Sequence, residues 1–125
     1  MERRILGKTG LQVSPLGFGG APVGFLETEQ KAVATILNEL LDQGVNLIDT
    51  AARYDGSEEM IGKTISHRRD DYVLVSKCGH AMDGVKGAAW SEDVILNTVD
   101  RALRRLQTDH LDVMLLHTCD FETLQ

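Results

Sequence analysis

Four short apolar runs constrain what this chain can fold into. They occupy residues 16–19, 45–48, 72–76 and 111–116, and a helical pattern fills each interval between them. Strands separated by helices are expected to lie parallel, joined by right-handed crossovers. A first helix is predicted over residues 28–43. Thr28 is placed to cap it, Glu29 opens it, and Gly44 ends it. Its apolar residues Ala32, Val33, Ile36, Leu37, Leu40 and Leu41 recur at helical spacing and should form one buried stripe. A second helix is predicted to start at a Ser57 cap, with Glu58 and Glu59 in its first turn and Ile61 and Ile65 inward. A third starts at a Ser91 cap and turns Ile95, Val99, Ala102, Leu103 and Leu106 inward.

The remaining segments read as connections. Residues 3–13 carry two β-prone pieces around Gly7-Lys8-Thr9-Gly10, which predicts a hairpin. Ser14-Pro15 breaks it. Leu16 to Gly24 reads as a strand entering a glycine-rich loop. Those glycines suit either close backbone approach to a phosphate or nicotinamide, or a turn that needs positive φ. They do not form the spaced triplet of a Rossmann fingerprint. His67 to Asp71 reads as a solvated connector. Residues 78–90 form a loop long for a strand-to-helix connection, which hints at a functional rim.

A chain of 125 residues suggests one domain. An apolar content of 42% is enough for a buried core. The formal net charge of −6 argues against nucleic acid or an anionic membrane as partner. No apolar run reaches the ~18 residues of a membrane span, and no signal-type core follows Met1. Cys78 and Cys119 stand outside any CxxC pattern, so reduced thiols, no metal site and a cytoplasmic location are expected.

Three of the four runs end in an ionisable residue: Asp49, Lys77 and His117. Tyr54 follows Asp49 in the next loop. Parallel neighbours ~4.8 Å apart would gather all four on one rim. Each also has an ordinary reading, as a cap, a rim aromatic, a solvated strand end or a satisfied histidine. Together they are chemically complementary. Tyrosine is a weak acid with a pKa of about 10, and a nearby ammonium stabilises its phenolate. A carboxylate can hold that ammonium, and an imidazole can hydrogen-bond a carbonyl oxygen. Such a set can pass a proton to or from a substrate oxygen, while hydride must come from a nicotinamide.

The sequence resembles the aldo-keto reductase superfamily over essentially its whole length. The matching stretches are Arg4 to Ser14, Leu16 to Gly20, Asn46 to Tyr54, Gly56 to Glu59, Val73 to Lys77 and Ser91 to His117. The resemblance implies that residues 1–125 are the N-terminal half of a (β/α)8 TIM barrel, an α/β fold with an N-terminal β-hairpin and four parallel strands alternating with three helices. A complete barrel needs about 250 residues. The resemblance also implies an NADPH- or NADH-dependent oxidoreductase acting on a small carbonyl or alcohol. Tyr54 would be its proton donor, Lys77 the cation beside it, Asp49 the lysine's partner and His117 the carbonyl-orienting group. Gly20, Ala21 and Asp49 would line the nicotinamide side, although Gly20-Ala21 departs from the threonine and larger residue often found there. The ending from Leu115 to Glu122 is most like the branch with sugar dehydrogenases and pyridoxal reductases. The second half of the family's barrel supplies most of the cofactor grip, so incomplete function is expected of this chain alone. The alternative is a non-catalytic half-barrel that self-associates or binds a partner through unpaired strand edges, like the reductase-like subunits that regulate channels.

Overall fold

A computed structural model describes residues 1–25 and 29–125. The expected hairpin is present as β1 (Arg4–Ile5) and β2 (Gln12–Val13), paired antiparallel. It is fixed to the rest of the chain through Asn46. The Asn46 side chain accepts from Ser14 N at 2.7 Å and donates to Gln12 O at 2.9 Å, and its N–H donates to Ser14 Oγ at 2.9 Å. These bonds satisfy buried polar groups that would otherwise be costly.

The main sheet has four parallel strands in sequential order: β3 (Gly17–Gly19), β4 (Leu47–Asp49), β5 (Val73–Cys78) and β6 (Val113–Leu116). Gly19, Asp49, Val75 and Val113 lie in register across it. The helices are α1 (Ala21–Phe25), α2 (Gln30–Asp42), α3 (Ser57–Ile65) and α4 (Glu92–Leu106). The core lies between sheet and helices. Ile48 and Leu74, with Phe18 alongside, meet Val33, Leu37 and Leu41 of α2, Ile61 and Ile65 of α3, and Ala102 and Leu106 of α4. Alternation along a strand sends Asp49 and Lys77 to the other face. Strand order and alternation agree with half of a (β/α)8 barrel. Among the described residues, no helix is long and apolar enough to cross a membrane.

Several local expectations are corrected. The glycine-rich segment after β3 forms the short helix α1 rather than a loop. Ser57 is not a cap. It is the first residue of α3, behind Gly56 at φ 73°, and its hydroxyl donates instead to Gly20 O at 2.8 Å. Glu29 precedes α2 without a side-chain cap bond, and Thr28 lies outside the described residues. In α2 only Val33, Leu37 and Leu41 are buried, while Ile36 is 48% exposed. In α4 the buried stripe is Val94, Thr98, Ala102 and Leu106, leaving Ile95, Val99 and Leu103 part-exposed. Ser91 does cap α4, accepting from Val94 N at 3.2 Å. The connector after α3 is a 3-10 turn, Ser66–Asp71, whose arginines are engaged. Arg68 bonds Asp42 and Asp71, each at 2.8 Å, and Arg69 bonds Asp112 at 2.6 Å. Asp112 also accepts from Leu74 N at 2.7 Å, which ties β5 to the segment entering β6.

Candidate active site

The sheet hydrogen bonding continues beyond the end of β4 and positions the loop that follows. Thr50 N donates to Val75 O at 2.8 Å and Ala52 N to Lys77 O at 3.4 Å. The chain then turns, with Tyr54 N bonded to Ala51 O at 3.0 Å and Ser57 N to Tyr54 O at 2.9 Å. Tyr54 is thereby held over the carboxyl ends of the strands. Asp49 closes β4, Lys77 is the penultimate residue of β5, and His117 directly follows β6. His117 N donates to Cys78 O at 2.9 Å, which extends the β5–β6 ladder to the histidine.

The four side chains expected to share a rim are brought together. Lys77 Nζ is hydrogen-bonded and ion-paired to Asp49 Oδ1, and donates to Thr50 O at 2.9 Å. It lies 5.0 Å from the centroid of the Tyr54 ring. The Tyr54 and His117 rings meet edge to face, with centroids 5.6 Å apart and planes at 88°. Lys77 is 14% exposed and Asp49 43%, so the ammonium is sheltered while its counterion faces the opening.

His117 has a cationic neighbourhood. Burial lowers its pKa below the ordinary 6.5, and the positive charges of Lys77 and Arg53 and the neighbouring His80 act in the same sense, against a smaller opposing effect of Asp49. At neutral pH the imidazole is uncharged. Its Nδ1 is buried without a hydrogen-bond partner.

A cavity of about 430 Å³ opens beside these groups, lined by Gly17, Phe18, Gly19, Ala21, Leu47, Asp49, Tyr54 and Lys77. Of the three residues expected on the nicotinamide side, Ala21 and Asp49 line it. Gly20 is absent from the lining. Its N–H bonds Asp49 O at 2.7 Å, and a Cβ there would come 2.7 Å from Ser57 Oγ. Thr50, His80 and Trp90 join the cluster without having been singled out in the sequence. For His80 the available signal is its position three residues past Lys77, inside the long loop.

Residues 15–124 match the sequence profile of the aldo/keto reductase family. The chain belongs to the aldo/keto reductase family. It is 37% identical to L-galactose dehydrogenase of Arabidopsis thaliana, in an alignment that covers 99% of this chain and 40% of that protein. Its fold superposes on an aldo-keto reductase structure from Pseudomonas aeruginosa with a TM-score of 0.89 at 38% identity, covering 98% of this chain and 50% of that one. A Klebsiella pneumoniae aldo/keto reductase, solved with NADP and acetate, matches with a TM-score of 0.68 at 34% identity. That match covers 85% of this chain and 36% of the Klebsiella chain. This family member thus spans about half or less of the length of these relatives.

Proposed function

We propose that this chain carries the proton-transfer side of an NAD(P)H-dependent oxidoreductase that interconverts a carbonyl and an alcohol. The observation that supports this best is the Asp49–Lys77 pair, set 5.0 Å from the Tyr54 ring beside an open cavity. The cavity suits a flat ring. Gly17 and Gly19 leave one wall bare, and a Cβ at Gly19 would have nothing within 4 Å. Ala21 and Asp49 would border a bound nicotinamide, with Gly20 holding that wall through its backbone. Reduced nicotinamide, as NADPH or NADH, supplies hydride when bound, which no side chain can do.

The chain's own residues account for the proton. Tyr54 gives its hydroxyl proton to the substrate oxygen, or takes one from an alcohol in the reverse direction. The phenolate left behind is stabilised by the Lys77 ammonium. Asp49 holds that ammonium in place. His117, neutral at working pH, donates a hydrogen bond to the same substrate oxygen and orients it. The reaction would be cytoplasmic, in keeping with the free thiols Cys78 and Cys119.

The test is loss of reduced-nicotinamide absorbance in the presence of small aldehydes and sugars, at high concentrations of the chain. Wild type is expected to turn over slowly. Tyr54→Phe should lower kcat by about 100-fold or more, with nicotinamide binding, followed by fluorescence titration, unchanged. A Tyr54→Phe chain as fast as wild type would remove the proton-donor role. A wild-type chain with no turnover and no nicotinamide binding, but with stable self-association in solution, would favour the second reading, a half-barrel that acts by association. That reading draws support from exposed apolar residues on and beyond β6, namely Leu115, Leu116, Phe121 and Leu124.

A further inference from the structure

The loop after β5 closes on itself. Gly79 takes φ 112°, a conformation open chiefly to glycine, and Trp90 takes φ 67°. Trp90 N donates to Gly79 O at 2.6 Å. The indole lies so close to Gly79 that a Cβ there would come 2.2 Å from the ring. The first and last residues of the loop are therefore in contact, and His80 is held between this closure and His117. Its ring centroid lies 4.8 Å from Trp90 and 5.8 Å from His117.

The polar contact of His80 is to backbone. His80 Nε2 lies 2.5 Å from the carbonyl oxygen of His117. A carbonyl only accepts, so Nε2 carries the hydrogen and the tautomer is fixed. The peptide groups of His117 are then held on both sides, its N–H by Cys78 O and its C=O by His80. This matters because the chain turns sharply at the next residue, Thr118, at φ 57°. It also matters because the buried Nδ1 of His117 has no partner to orient the ring.

We propose that His80 is a positioning residue for His117, with Trp90 as its brace. The loop of residues 79–90 then fixes the imidazole through its own peptide. His80 affects turnover only under the oxidoreductase reading, so two measurements that need no turnover accompany the kinetic one.

Trp90 is the single tryptophan of the chain, so emission reports on this cluster alone. With the two rings 4.8 Å apart, His80→Ala should shift the Trp90 emission maximum to longer wavelength as water reaches the indole, and His80→Gln should lie closer to wild type. An emission maximum in His80→Ala identical to that of wild type would overturn the brace. In nitrogen-15 spectra, the ring resonances of His117 should shift in His80→Ala and return in His80→Gln, whose amide can still donate. Unchanged resonances in His80→Ala would overturn the positioning role. In turnover, His80→Ala should lower kcat about tenfold with little change in KM, and His80→Gln should restore it. A fall in rate matched by the loss of folded protein, without rescue by His80→Gln, would make His80 a structural staple only. In the absence of any wild-type turnover, the fluorescence and resonance results alone decide the placement.

Discussion

At Glu58 a carboxylate occupies a site that an apolar side chain would ordinarily fill. It is 1% exposed, accepts from Ser76 Oγ at 2.7 Å through Oε1, and leaves Oε2 without a partner. Burial pushes its pKa above the usual 4.5, and the Ser76 hydrogen bond and the charges of Arg105 and Arg101 only partly offset this. A carboxyl whose pKa is raised in the fold stabilises fully below its unfolded value, and that contribution is lost as pH rises through the folded value. Wild type should therefore lose stability relative to Glu58→Gln as pH rises above 4.5. Urea unfolding of both proteins at several pH values measures the difference, and parallel curves would contradict it. His117 has the opposite sign. Its depressed pKa makes its contribution complete above 6.5 and lost as pH falls. Asp49, Lys77 and His117 were legible in the sequence because each ends an apolar run and breaks its pattern. Glu58 was not. It opens a helix beside Glu59, where acids are ordinary, and only burial against Ser76 of β5 distinguishes it from Glu59, which pairs with Arg105 at 3.2 Å.

The helices were legible as segments more readily than as faces. In α4 the choice between the Ile95-Val99-Leu103 row and the Val94-Thr98-Ala102-Leu106 row depends on which side meets the sheet. Thr98 hides the true row by being polar, yet it is fully buried with its hydroxyl bonded to Val94 O at 2.6 Å. Ser57 misleads in the same way, because its hydroxyl reaches a chain segment thirty-seven residues earlier rather than its own helix. The close approach of α3 and α4 also has no signature in either helix alone. A Cβ at Gly62 would lie 2.2 Å from Arg105 O and 2.8 Å from Leu106 Cα. Backbone cannot yield there, so Gly62→Ala should separate the helices and destabilise the chain by about 1–3 kcal/mol, readable as a lower denaturation midpoint. An unchanged midpoint would mean that the two helices slide without cost.

Strand order needed only the alternation of strand and helix, because right-handed crossovers leave few topologies. The partial closure of the barrel was legible too, from counting strands against the eight of a complete one. Among the described residues β3 pairs only with β4, and β6 only with β5. Unpaired edges invite another chain. Under the association reading, sedimentation velocity should detect species larger than the monomer, and Leu116→Lys should shift them toward monomer, since a lysine on an edge opposes pairing. A wild-type chain that sediments as a single monomeric species at every concentration would end that reading.

The hairpin adds an orientation to this picture. Ser14 and Gln12 are tied to Asn46, before β4 begins, whereas Asp49 and Lys77 lie at the strands' other ends. The amino terminus and the opening beside Asp49 and Lys77 are thus at opposite poles of the sheet. A surface tether or affinity handle attached ahead of Met1 would leave the mouth facing solution, so immobilised protein should meet small molecules as freely as dissolved protein does.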